Sequence, residues 1–139
     1  MNAAEQSHTH RTVTIVVPAA QDRVYGFLAD PQNLPVWATE FCQELKWDGA
    51  HCKIVTSGGE LFFRIEADPK TGVIDMFSGP TAAEQDIFPC RAIALSGQVT
   101  AISFTFFRTP GIHDEMYERQ YESLLIEMDG LAERFSAVR

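Results

Sequence analysis

The sequence predicts a single α+β domain in which one long C-terminal helix closes over a curved antiparallel sheet, with two short helices after the first strand. Three observations carry this expectation. Short apolar runs follow one another from residue 41 to residue 108, separated by Gly- and Pro-containing turns. No helical segment interrupts them, so about six strands form an antiparallel meander rather than a βαβ series. The last stretch, residues 113–137, then switches to a helical repeat of apolar side chains.

Taken in order, residues 1–10 read as a polar, disordered tail, which leaves 11–139 as the domain. His8 and His10 stand in that tail with no further ligand near them, so they read as solvated rather than metal-binding. Residues 12–17 are rich in β-branched side chains and stop at Pro18, as a strand would. Val24, Phe27 and Leu28 then share one face of a first helix. Asp30-Pro31 ends it, because a residue before Pro avoids the α conformation. Residues 32–39, with Pro35 and Trp37, make a second short helical turn. Strands are expected at 41–47, 51–56, 60–67, 73–78, 86–95 and 99–108. Asp48-Gly49 and Gly58-Gly59 are hairpin signals between them. In the terminal helix Met116, Gln120, Leu124, Met128, Leu131 and Phe135 recur every three or four residues. Its length at 1.5 Å per residue is roughly 37 Å. Its apolar stripe needs a large surface, and the concave face of the sheet is the one on offer. Gly130 in this helix, at about 1 kcal/mol, suggests a close approach or a bend.

Composition narrows the function. The 139 residues suit one domain. Ten Phe and two Trp are bulky core material. A formal net charge of −8 argues against nucleic acid, which needs clustered Lys and Arg, and against anionic membrane surfaces. No segment approaches the ~18 apolar residues that span a bilayer. The N-terminus lacks an apolar signal core, so a cytoplasmic location is expected. Cys42, Cys52 and Cys90 are odd in number and widely spaced, and read as reduced thiols. There is no Gly-rich phosphate loop, HExxH, CxxC or nucleophile elbow. Neither a metal nor a cofactor is expected. His51 and Cys52 are adjacent, but on a strand they point to opposite faces and cannot act together.

Residues 16–37, VVPAAQDRVYGFLADPQNLPVW, carry a resemblance, as do residues 107–115, FRTPGIHDE. From about residue 12 to 137 the chain resembles the START-like, helix-grip superfamily (SRPBCC), whose best-named branch is the polyketide cyclase/dehydrase and lipid-transport family. The first stretch is similar to that family's opening strand, first helix and Trp-containing turn. The second is similar to its last strand passing into the closing helix. The resemblance implies a sheet wrapped around the helix, with an apolar cavity between them and the small helices plugging one end. Physically, a curved sheet and a straight helix cannot touch everywhere. Such cavities are mostly apolar with a few orienting polar groups.

The expected ligand contacts are Trp37 at the mouth, Phe63 and Phe104 on the strands, and Gln120, Tyr121, Leu124 and Met128 on the helix. Gln120 interrupts the apolar stripe and needs a partner. Tyr121 offers a ring with a polar tip, and Met128 an adaptable side chain. Asp75 and Arg91 lie within strands among apolar neighbours. Pointing inward, they would be polar anchors, or an acid/base pair with Asp75 as the candidate catalytic group. Pointing outward, they would be solvent-side charges. Alternation puts Leu61, Phe63 and Ile65 on one face and Phe62, Arg64 and Glu66 on the other. A slip of one residue would exchange every wall residue for its neighbour.

Three functions fit these features. The first is binding of a small hydrophobic or aromatic molecule, lipid- or polyketide-like. The second is a metal-independent cyclase or dehydratase of the polyketide type, which needs a desolvated acid or base in the pocket. The third is a homodimeric interaction protein, its interior filled by its own side chains and a sheet edge pairing with a second copy.

Overall fold

The structure, a computed structural model, describes residues 10–136. The expected tail therefore lies outside the described residues except for His10, which opens the first strand. The order is β1 (His10–Val17), α1 (Gln21–Leu28), a 3-10 turn (Pro31–Asn33), α2 (Leu34–Trp37), β2 (Glu44–Asp48), β3 (His51–Thr56), β4 (Gly59–Asp68), β5 (Val73–Gly79), β6 (Asp86–Phe88), β7 (Cys90–Ser96), β8 (Val99–Phe107) and α3 (Asp114–Arg134). All strand pairs are antiparallel, in one eight-stranded sheet ordered β1-β8-β7-β5-β4-β3-β2, with β6 attached to β5. Hairpin connection keeps consecutive strands adjacent, while β1 returns to pair with the last strand.

The β-branched sequence of β1 alternates as a one-sided strand should. Val13 and Ile15 are partly buried and Val17 fully, while Thr12, Thr14 and Val16 are exposed. On the outer side Thr12 and Thr105 share a hydroxyl hydrogen bond of 2.7 Å. Asp30 is extended, at φ −92° and ψ 112°, and its carboxylate accepts the Gln32 amide at 2.9 Å. The Asp-Pro step thus ends one helical segment and starts the next. Val24 and Leu28 of α1 and Leu34 and Trp37 of α2 are buried. The buried Thr100 hydroxyl ties this end to the sheet by donating to the Ala19 carbonyl at 2.7 Å.

Two expected boundaries move, while the terminal helix begins within a residue of its expected start. The strand expected over 86–95 divides at Pro89, because Pro has no N–H for the ladder. Phe88 then pairs with Met76 of β5, whereas Cys90 pairs with Phe104 of β8. The strand expected from residue 41 begins at Glu44, since residues 38–42 wind into a turn in which the Cys42 amide reaches the Ala38 carbonyl at 2.7 Å. The terminal helix starts at Asp114, where Arg108 bridges the Asp114 carboxylate (2.7 Å) and the Ile112 carbonyl (2.6 Å). Its expected end at Ala137 lies outside the described residues.

The buried face of α3 is Tyr117, Leu124, Glu127, Met128 and Leu131, with Phe135 just beyond. Met116 and Gln120 are exposed instead of buried. The cause is what they face. Gln120 lies seven residues before Glu127, within about 20° of it around the helix, and Met116 one turn earlier, but both look into an open gap rather than onto packed strand side chains. Gly130 has open space around it, so neither a close approach nor packing requires it. Gly72 differs. It takes φ 78°, and an added Cβ would collide with the Ala92 carbonyl oxygen.

Candidate ligand cavity

α3 leans on the β1 end of the sheet and on α2. Between it and the far strands a cavity of about 430 Å³ opens. One wall is aromatic. Phe41 contacts Phe88, Phe88 contacts Phe104, and Phe104 meets the edge of Trp37, with ring centroids 6.4, 6.5 and 6.2 Å apart. Phe63, Met76 and Phe106 complete that wall from β4, β5 and β8. The opposite wall is α3, through Met116, Gln120, Ser123, Leu124 and Glu127, a helical row facing the gap. Thr56 and Ser57 of the β3–β4 turn and Arg119 stand at the polar margin.

Glu127 is the only charged side chain buried among the described residues, at 7% exposure. Its Oε2 accepts the backbone N–H groups of Glu40 and Phe41, each at 3.0 Å. This holds the turn after α2 against the long helix. Its Oε1 accepts no hydrogen bond among the described residues, and no cation pairs with the carboxylate. Burial pushes the carboxyl up to about 7, against the pull of the two amides, with the Glu40 charge adding to the rise. Its place between Leu124, Met128 and Leu131 was the available sequence signal: a carboxylate inside the apolar stripe.

No protein-family model matches the chain, and no curated protein matches it in sequence. Solved structures match it in fold. The Zhui aromatase/cyclase from Streptomyces sp. R1128 superposes with a TM-score of 0.61 at 21% identity, over 90% of this chain and 93% of that one. A START superfamily protein from Mycobacterium smegmatis gives 0.60 at 13%, over 92% and 99%. The Aha1 dimer from Colwellia psychrerythraea gives 0.67 at 15%, over 91% and 96%. The chain has the START-like, helix-grip fold.

Within this helix-grip fold Trp37, Phe63, Phe104, Gln120 and Leu124 all line the cavity. Tyr121 does not. Its ring stacks on Phe106 at 6.3 Å and lies under the Arg11 guanidinium at 4.2 Å. Met128 is fully buried in the core beside the cavity. Asp75 and Arg91 correct the expectation of polar anchors, because both sit on the outer face of the sheet. On β5 the buried positions are Ile74, Met76 and Ser78, so Asp75 turns away with Phe77 and stands opposite Glu66. On β7 Cys90 and Ala92 are buried and Arg91 between them is exposed. No ion pair joins Asp75 to Arg91 among the described residues. Arg64 is exposed on the same outer face, paired with Glu66 and 3.9 Å from the Phe77 ring centroid.

The START-like core also holds the thiols. All three are free and buried, and burial pushes Cys42 up to about 11 and Cys90 up to about 12. Cys52 is buried while its neighbour His51 is exposed against Phe62. No helix among the described residues is long and apolar enough to cross a membrane.

Proposed function

We propose that the protein binds a small hydrophobic or aromatic molecule, lipid- or polyketide-like, between α3 and the sheet. The observation that carries this reading is the aromatic wall around an open volume of about 430 Å³. That size and mostly apolar lining are typical of small-molecule sites. The open volume weighs against an interior filled by its own side chains. The fold shared with an aromatase/cyclase and a START superfamily protein supports the reading by analogy. Native mass spectrometry of protein purified from its own host is the test. A small molecule should co-purify, and Leu124→Trp, which fills the cavity from α3, should abolish its retention. Retention unchanged by Leu124→Trp refutes this location.

The second reading is a metal-independent cyclase or dehydratase of the polyketide type. Glu127 supports it, as a desolvated carboxyl on the cavity wall whose proton affinity suits transfer near neutral pH. Turnover of a bound poly-ketone by the native protein, lost in Glu127→Gln, would establish it. Retention of the ligand without turnover leaves the first reading alone.

A further inference from the structure

We propose that the ligand is a neutral aromatic molecule bearing a hydroxyl group, and that Glu127 selects it by hydrogen-bonding that hydroxyl through Oε1. This rests on the cavity-binding reading above and names the class of molecule that the cavity takes.

Three features point to that class. The first is the geometry of Glu127. Its Oε2 is fixed by two backbone amides, so the side chain cannot swing out to solvent without breaking both bonds. The remaining oxygen is held at the cavity wall with no hydrogen-bond partner among the described residues. That oxygen is open to the cavity, so a ligand hydroxyl can donate to it in place of solvent, and a hydrogen bond to a carboxyl shielded by apolar walls is among the stronger ones. The second is the wall facing it. Phe41, Phe88, Phe104 and Trp37 form a continuous run of rings, which favours offset or edge contacts with another flat aromatic system.

The third is the versatility of a hydroxyl. Burial makes Glu127 hold its proton into the neutral range, so both forms of the carboxyl are populated there. The titratable groups beside it, Glu40 and Cys42, add no positive charge. A hydroxyl both donates and accepts, and so bonds either form of Glu127. Beside Glu127 a ligand carboxylate would pair only with the protonated form and repel the ionised one, and Arg119, the cation lining this cavity, stands exposed at its margin beside Glu115. An ammonium would pair only with the ionised form, and it would have to shed its water among apolar side chains.

Calorimetric titration of the native protein at neutral pH tests this with four compounds of one shape: a naphthol, its methyl ether, the corresponding naphthoate and the corresponding naphthylmethylamine. The naphthol should bind at least about tenfold more tightly than each of the others, the size expected for a hydrogen bond to a charged or charge-sharing group. Glu127→Gln presents an amide N–H₂ to the cavity once its carbonyl holds the two backbone amides. The preference for naphthol over its methyl ether should then fall below about threefold, and the naphthoate should gain. Equal binding of all four to the native protein overturns the selection and leaves the cavity reading standing. Tightest binding of the naphthoate or the amine overturns it too, as does a hydroxyl preference that survives Glu127→Gln. Failure of all four to bind removes the cavity reading and this inference with it.

Discussion

Glu127→Gln is expected to change how the stability of the folded chain depends on pH. Burial raises the carboxyl from an ordinary 4.5 to about 7. Between those values the folded chain holds a proton that the unfolded chain has released. Stability therefore declines as pH rises through that interval and levels off above it. At about 1.4 kcal/mol per tenfold change in proton affinity, the full decline is about 3 kcal/mol, most of it between about pH 5 and about pH 8. Gln has no proton to lose, and its carbonyl can keep the amides of Glu40 and Phe41. Of the neighbouring groups, Cys42 is held up at about 11, outside this window, and Glu40 is common to both chains. The assay is urea unfolding of both chains at several pH values across the window. The stability of the native sequence minus that of the variant should fall by 2 to 3 kcal/mol, to within about 1 kcal/mol, from the acid to the alkaline side. Parallel curves would show that Glu127 is solvated or ionised throughout, and would refute the buried placement of its carboxyl.

Two glycines should respond in opposite directions to Ala, read by the same urea unfolding. Gly130→Ala, in open space on α3, should stabilise by up to about 1 kcal/mol, whereas Gly72→Ala, at positive φ beside the Ala92 carbonyl, should destabilise by about 1–3 kcal/mol or more. The three thiols should resist a thiol reagent in the native protein at about pH 8, because burial keeps all of them in the unreactive protonated form, and should react together on unfolding. Rapid native labelling of any one of them would contradict its burial.

Much of this fold is local physics, and so the sequence by itself determined it. Turn residues at regular spacing, β-branched runs and the helical repeat of residues 113–137 each act within a few residues of themselves. They specified an antiparallel meander closed by a long helix, and strict alternation on β4 placed Phe63 inward and Arg64 outward. Tertiary structure decided the rest. Asp75 has apolar residues on both sides, so its strand reads equally well in either phase, and only pairing with β4 set it outward. Tyr121 was drawn from the cavity by Arg11 and Phe106, residues distant in sequence. Glu127 stands inside the apolar stripe of α3, but only the turn at Glu40 and Phe41, folding back from another part of the chain, gave its carboxylate two backbone donors. A buried carboxylate depends on partners that arrive from elsewhere in the chain, and no local pattern records their arrival.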